Sequence, residues 1–511
     1  MIIIKCNKAQ FEYDIHSLIK AFYPEQEVKV LTPESVVKDR KIAEHPVTMR
    51  LDFKENKVVF QILGVCEETG HVGVTGNGDE EKTEKDRIEA IRYTHEYTWQ
   101  IAEEDKADYK NVFKRFLYTS MQEETGISLP WGNLTGIRPT KIAMTMLEQG
   151  KPEKEIVAFL RERHLVSKEK TELSIDIAVR EKAILETLHY EDGYSLYIGI
   201  PFCPTTCLYC SFTSFPISLW KERVADYLSA LEKEIDYIAE AYKHKVLDTV
   251  YIGGGTPTSL SAEELDRLLS KIKSSFNISN IQEFTVEAGR ADSITEEKLH
   301  VLYRHGVTRI SVNPQTMKQE TLHFIGRQHT VEQVIEAFHM ARKIGFDNIN
   351  MDIILGLPGE NEEDIKATID AIETLAPDSL TVHSLAIKRA SRMNQWITEN
   401  GISALHNTEE TMRIAAEGAR RMDMMPYYLY RQKNMSGNFE NVGYAREGKY
   451  GIYNILIMEE KQTIVALGAG TITKRVYPDG RIERCDNVKD VASYIERIDE
   501  MIERKRKLFE D

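Results

Sequence analysis

The sequence predicts an α/β protein: a partial barrel of six β/α units, preceded by an α+β domain and followed by a small carboxyl-terminal domain. Three observations carry that prediction. From Tyr194 onward, short apolar runs alternate with longer helical patterns through six repeats. Glycine-rich or polar segments follow several of those runs, where the loops of such a barrel gather. The chain has 511 residues, 42% apolar and 29% charged, a globular balance spread over more length than one core can organise. The expected divisions are 1–185, 190–425 and 426–511.

In the first division, Ile2–Lys5, Glu27–Leu31, Thr48–Asp52 and Lys57–Leu63 read as short strands, and Glu80–Trp99 reads as a charged helix. Leu129–Thr140 holds two prolines and two glycines in twelve positions, which predicts a connecting loop before a helical stretch over Glu153–His189. The barrel series then runs strand Leu196–Ile200, helix Leu219–Ala241, strand Thr249–Ile252, helix Ala262–Ser274, strand Glu283–Glu287 and helix Thr295–His305. It continues with strand Arg309–Val312, helices to Ile344, strand Asn348–Ile354, helix Glu362–Leu375 and strand Ser379–Ser384. Such alternation implies parallel strands with helices outside, and six units suit an open barrel better than a closed eight-stranded one. The charged tail Val488–Leu508 reads as an amphipathic, solvent-facing helix packed on the last domain.

Lys plus Arg number 66 and Asp plus Glu 81, so the net charge of −15 argues against a general nucleic-acid binder. Three isoleucines before Lys5 fall far short of a signal-peptide core, and no apolar run is long enough to span a membrane, so a cytoplasmic protein is expected. Six cysteines are too few for a disulfide framework. Cys203, Cys207 and Cys210 are nevertheless clustered, whereas Cys6, Cys66 and Cys485 are scattered.

The clustered three follow the first barrel strand in a Cys-x3-Cys-x2-Cys spacing. Three thiolates can hold three corners of a cubane and leave the fourth iron open to a small molecule. Structural zinc wants four ligands, usually in two pairs, and Ser211 and Phe212 follow Cys210 instead of a fourth cysteine. After the second strand comes Gly253-Gly-Gly-Thr-Pro-Thr258, where residues without side chains let the backbone approach a ligand, although a tight turn is the plainer explanation. Glu287 ends the third strand, Gln315 follows the fourth, Arg327 comes after the next helix and Asp352 lies in the fifth strand. Singly, each is more often a surface or structural residue. Their recurrence near the ends of adjacent strands points to one cavity.

With these residues in view, Cys203-x3-Cys207-x2-Cys210 and the glycine ridge resemble a radical S-adenosylmethionine (SAM) enzyme. More narrowly, Tyr197-Ile-Gly-Ile-Pro-Phe-Cys203, the ridge, Arg309-Ile-Ser-Val-Asn-Pro-Gln315 and Ile325-Gly-Arg327 resemble the oxygen-independent coproporphyrinogen III oxidase family. Leu134–Thr140, His383–Arg389, Tyr427–Lys433 and Asn454–Lys461 resemble its HemZ-like branch, which carries an extra amino-terminal domain. The resemblance implies a radical SAM partial (β/α)6 barrel, a 4Fe-4S cluster on Cys203, Cys207 and Cys210, and SAM in one or two copies. It implies methionyl contacts from Gly254, Gly255 and Thr256, and polar contacts from Glu287, Gln315, Arg327 and Asp352. Tyr197 and Tyr209 match aromatic contact positions. Ala386 and Ile472 match further ones; for Tyr197, Ala386 and Ile472 core packing is an equal alternative.

The family's reaction is the oxidative decarboxylation of two propionates of coproporphyrinogen III to vinyl groups, giving protoporphyrinogen IX. The implied partners are a tetrapyrrole and an electron donor such as flavodoxin or ferredoxin. Lys388, Arg389, Arg431 and Lys433 are candidate propionate contacts or simply solvated cations. Two positions depart from the oxidases: Phe212 stands where they carry a further cysteine, and Gly199 where they carry a histidine. Two other functions therefore stay open beside the decarboxylase: haem binding and delivery, and radical methylation or opening of a tetrapyrrole.

Overall fold

The computed structural model describes residues 1–38, 46–65, 91–190, 192–212, 214–386, 391–401, 405–432 and 439–510. They form two compact units, Met1–Gly136 with Pro152–Glu172, and Ile137–Lys151 with Leu173–Asp511.

The first unit is built on strands β1 (Ile2–Cys6), β2 (Val28–Leu31), β3 (Met49–Phe53), β4 (Lys57–Val65) and β5 (Ile91–Gln100). They lie in the order β2-β1-β3-β4-β5, with β1 parallel to both neighbours and the last three antiparallel. Phe11, Phe53 and Phe113 interlock in its core, with Phe11 stacked on Phe53 at 4.7 Å between ring centres. The helix expected over Glu80–Trp99 is corrected where the structure describes it: Ile91–Gln100 is a strand, paired with β4 from Lys57↔Gln100 to Val65↔Ile91. Ile91, Tyr93, His95, Tyr97 and Trp99 recur at every second residue, a strand period with strand-forming types, and this outweighs the surrounding charge. The rest of that prediction, residues 80–90, lies outside the described residues. Leu129–Thr140 contains neither helix nor strand, as expected, and the helical stretch after it is broken into Glu153–Ala158, Phe159–Arg163 and Lys168–Leu185.

The second unit holds β6 (Gly193–Ile200), β7 (Phe202–Cys203), β8 (Phe215–Pro216), β9 (Val246–Gly254), β10 (Glu283–Gly289), β11 (Arg309–Val312), β12 (Ile349–Leu355) and β13 (Ser379–Ser384). Beyond these come β14 (Met425–Tyr430), β15 (Asn441–Ala445), β16 (Thr463–Leu467), β17 (Ile472–Val476) and β18 (Ile482–Asp486). The six expected strands β6, β9, β10, β11, β12 and β13 are adjacent and parallel in that order. Their nearly continuous burial is what a sheet covered on both faces requires. The connecting helices turn apolar stripes inward: Ala262–Ser275 buries Ala262, Leu265, Leu268, Leu269 and Ile272, each leucine contributing roughly 1.5–3 kcal/mol. Ser261 and Glu264 close a capping box at its start.

Residues 425–486 extend this sheet at both edges. β15 and β14 follow β13 in antiparallel pairing, while β16 lies parallel beside β6 and leads into the antiparallel pair β17 and β18. Between them the helix Ile452–Glu459 sits at the start of the barrel strands, because Glu283, the first residue of β10, accepts hydrogen bonds from the Ile452 and Tyr453 amides. A carboxylate at a helix amino terminus satisfies otherwise orphaned donors. No helix among the described residues is long and apolar enough to cross a membrane.

The tail differs from the single solvent-facing helix expected. It forms two helices, Val491–Glu496 and Ile498–Glu510, and Lys505 points fully inward, where Nζ lies 2.7 Å from Glu234 Oε1. Glu234 also accepts from the Gly468 amide, Tyr494 OH and Asn487 Nδ2, at 2.8, 2.6 and 2.8 Å. The tail is thereby tied to the turn that follows β16.

Candidate functional site

The cysteine loop begins where β6 ends. Its two limbs are held together by β7 and β8, with Phe202 opposite Phe215 and Cys203 opposite Pro216. The Phe202 ring anchors the first limb against Tyr227, 5.3 Å away, and Trp220. Inside the loop the Cys210 amide donates to the Cys207 carbonyl at 3.3 Å, and Leu208 N–H reaches the Ile325 carbonyl at 2.9 Å. Cys203, Cys207 and Cys210 are all free thiols. Burial raises the pKa of Cys203 and of Cys210, and the charges of the neighbouring cysteines add to it. Such a crowded thiol set favours binding a cation over remaining as three thiolates.

The glycine ridge lies directly on this loop. Gly255 N–H donates to the Ile200 carbonyl at 2.8 Å and Thr256 N–H to the Phe202 carbonyl at 2.7 Å. A Cβ on Gly255 would stand 2.5 Å from Phe202 O and 2.8 Å from Ile200 O, so the approach requires glycine. Thr256 Oγ1 reaches Cys203 Sγ at 3.5 Å.

The polar residues sit on the following strands. Tyr251 OH donates to Glu287 Oε1 at 2.5 Å, and burial, with the charge of Asp352, pushes the Glu287 carboxyl up to about 7. Burial also works to raise Asp352, but His383, Asn350 and Thr381 outweigh it and bring that carboxyl below its usual range. Asn350 Nδ2 donates to Asp352 Oδ1 at 2.6 Å, and His383 Nε2 is 3.8 Å from Oδ2. Gln315 adopts a left-handed backbone, φ 70°, held by bonds from its amide to the Asp352 carbonyl and from the Ile354 amide to its own, both 2.9 Å. A non-glycine residue there costs about 1–3 kcal/mol, which the sheet must offset. Arg327 donates from Nη1 to the Asn313 carbonyl at 2.6 Å and from Nη2 to Tyr209 OH at 3.3 Å.

The structure thus places Cys203, Cys207, Cys210 and Tyr209 on the loop after β6, Gly254, Gly255 and Thr256 at the end of β9, Glu287 near the end of β10, Gln315 just past β11 and Asp352 in the middle of β12, while Arg327, after the helix Gln319–Phe324, reaches back to Asn313 and Tyr209. Tyr197 lies on β6 and packs beside a pair of rings absent from the sequence-predicted site: Tyr251 and Tyr453 stack 4.4 Å apart, and the Tyr197 ring is 6.0 Å from the first and 5.8 Å from the second. Tyr251 had a local signal, being two residues before Gly253 on the same strand. Tyr453 had none. Ala386 lies half-buried just past β13, and Ile472 opens β17 with 47% exposure. Of the candidate propionate contacts, Arg431 is buried near Glu440, and burial lowers its guanidinium to about 10; Lys388, Arg389 and Lys433 lie outside the described residues.

The Radical SAM superfamily matches residues 197–372, the span that contains the cysteine loop, the ridge and the strands through β12. An oxygen-independent coproporphyrinogen-III oxidase-like protein, HemZ of Bacillus subtilis strain 168, is 44% identical over 406 residues, covering 78% of this chain and 81% of its own. This chain belongs to that HemZ family of radical SAM proteins. The heme chaperone HemW of the same bacterium is 39% identical over 195 residues, 38% of this chain and 51% of its own. The solved coproporphyrinogen III oxidase of Escherichia coli is similar at a TM-score of 0.49, with 22% identity over 63% of this chain and 72% of that one.

Membership of the radical SAM superfamily implies a 4Fe-4S cluster and SAM. The residues of this HemZ-family chain fit both groups. Three free thiols lie on one braced loop, and beside them runs a glycine ridge in which a Cβ on Gly255 would meet the Phe202 and Ile200 carbonyls.

Proposed function

We propose that this protein carries out the anaerobic oxidative decarboxylation of coproporphyrinogen III to protoporphyrinogen IX, as a radical SAM enzyme of haem biosynthesis. The observation that carries the proposal is the clamp of the glycine ridge onto the three-thiol loop, through the Gly255 and Thr256 amides, in a chain 44% identical to HemZ. Cys203, Cys207 and Cys210 would hold the cluster. Gly254, Gly255 and Thr256 would receive the methionyl part of SAM, with Tyr197, Tyr209, Ala386 and Ile472 as further contacts. When bound, a reduced cluster and SAM together supply a 5′-deoxyadenosyl radical able to remove hydrogen from a propionate side chain.

The chain's own residues bind, orient and shield. Asp352, kept ionised, is suited to accept hydrogen bonds from ribose hydroxyls, and the fork of Arg327 to meet a carboxylate. Glu287, titrating near 7, holds a proton at its carboxyl through part of the physiological range while Oε1 accepts from Tyr251. The packed rings of Tyr197, Tyr251 and Tyr453 set apolar surface beside Glu287, to which Tyr251 donates, and would help exclude water there. The segment 426–511 would cover the substrate, and flavodoxin or ferredoxin would supply the electron. Each decarboxylation would consume one SAM and pass one electron to an acceptor as carbon dioxide leaves, so the two propionates would consume two SAM molecules, bound together or in turn.

Anaerobic turnover of reconstituted protein with reductant, SAM and coproporphyrinogen III tests the proposal. Carbon dioxide, vinyl products and 5′-deoxyadenosine are expected; absence of 5′-deoxyadenosine with a reduced cluster would overturn it. A second reading, haem delivery, is favoured by the similarity to HemW and by Phe212, 71% exposed two positions past Cys210. Stoichiometric haem retention without loss of substrate would select it, and methylated or ring-opened products would select neither.

A further inference from the structure

The cysteine loop rests on an arginine that the sequence does not single out. Arg290 lies three positions past Glu287, at the end of β10, and its side chain is only 3% exposed. One edge of the guanidinium is bidentate on Asp292, with Nε 3.0 Å from Oδ1 and Nη2 2.6 Å from Oδ2. The other edge faces the loop: Nη1 donates to the Thr205 carbonyl at 2.9 Å and to its hydroxyl at 2.8 Å, and lies 3.9 Å from Cys207 Sγ. The Thr205 hydroxyl in turn donates to the Gly326 carbonyl at 3.2 Å.

A guanidinium cannot shed its proton, and burying one is unfavourable unless its donors are matched. Asp292 matches one edge. The second edge is committed to the limb that carries Cys207, so a fixed positive charge lies beside one of the three thiols. Hydrogen bonds and charge near cluster sulfurs set reduction potentials, and residues behind the ligands hold them in place.

We propose that Arg290 is a positioning residue for the iron–sulfur cluster, which fixes the Thr205–Cys207 limb and, by donating toward the Cys207 thiolate, raises the cluster's midpoint potential. The inference rests on the cluster assignment made above and adds to it a residue outside the cysteine and SAM motifs. Reduction adds negative charge to the cluster, so a neighbouring cation stabilises the reduced form more than the oxidised one. Asp292 offsets part of that cation's charge, and the two side chains therefore act with opposite sign.

Wild type, R290M, R290K and D292N would be reconstituted anaerobically without substrate, assayed for iron and for folding by circular dichroism, and titrated for midpoint potential by electron paramagnetic resonance. R290M is expected to shift to a more negative midpoint, R290K to fall between it and wild type, and D292N to shift to a more positive one. Loss of iron from a folded R290M supports the clamp, and the sign of the D292N shift then decides the electrostatic part. Midpoints of R290M and D292N that are unchanged, or that move in the same direction, overturn the proposal. Failure of wild type to take up iron would instead refute the cluster assignment itself.

Discussion

The raised carboxyl of Glu287 makes stability depend on pH in a way that one substitution should remove. Its folded value of about 7 lies above the unfolded 4.5, so below pH 4.5 both states are protonated and the group imposes no penalty. Between those values the unfolded chain ionises while the folded one keeps its proton, and stability falls by roughly 1.36 kcal/mol per pH unit. Above 7 the loss is complete. The 2.5-unit difference between 7 and 4.5 corresponds to about 3 kcal/mol. Glu287 keeps some exposure, and solvent screening makes that figure a ceiling. Glu287→Gln is nearly isosteric, keeps a carbonyl acceptor for Tyr251 OH and cannot titrate. It should match wild type near pH 4.5 and exceed it by about 1–3 kcal/mol at pH 8, with the difference growing through the interval. Urea midpoints of both proteins, measured across that range without cofactors, give the difference directly. Other buried acids such as Glu283 and Glu360 contribute equally to both proteins and cancel. A difference independent of pH would refute the argument, since Glu287 would then ionise normally despite its burial.

Replacing Cys203, Cys207 or Cys210 by alanine should abolish the visible absorbance of the reconstituted cluster, whereas alanine at Cys6, Cys66 or Cys485 should leave it intact. Gly255→Ala should part the ridge from the loop, because its Cβ would lie 2.5 Å from Phe202 O. Losing the Gly255 and Thr256 amide bonds amounts to about 1–3 kcal/mol, so SAM binding measured by calorimetry should weaken roughly 5- to 150-fold. Lys505→Met leaves Glu234 buried and charged but still bonded to Gly468, Tyr494 and Asn487, so the loss should sit near about 3 kcal/mol in urea unfolding. The double variant E234M/K505M should be no more stable than K505M, because Met at 234 takes from the buried Gly468 amide, Tyr494 hydroxyl and Asn487 amide the carboxylate they share.

What the sequence disclosed and what it concealed divide along the range of the interactions. The six parallel strands were legible because each carries its own apolar run, and the cysteine loop and ridge because three thiols and three glycines leave few other uses for such spacing. Ile91–Gln100 alternates locally, but the run of charged residues before it masks the period. β16 carries no sign that it belongs beside β6, where Thr463 pairs with Tyr194 although the whole barrel sequence separates them. Lys505 reads as a solvated cation in a charged tail, and Glu234, 271 residues earlier, turns it inward together with Asn487. Glu283 and Arg290 look like surface charges for the same reason, since their partners at Ile452 and Thr205 are supplied by other elements.

The residues that carry the chemistry were therefore the most legible, and the residues that hold them in place the least. A thiolate or a glycine is selected for what it is, whereas Arg290, Glu234 and Glu283 matter for where the fold puts them. Two independent braces converge on the strand that leads into the cysteine loop. From one side, Gly468, held by Glu234, packs so closely that a Cβ there would lie 2.5 Å from the Gly199 carbonyl; from the other, the Gly255 amide bonds to Ile200. Among its described residues the loop has no regular structure of its own beyond the β7–β8 pair. Its geometry must come from these contacts, so substitutions in the tail, distant in sequence from every cysteine, should still be felt at the cluster.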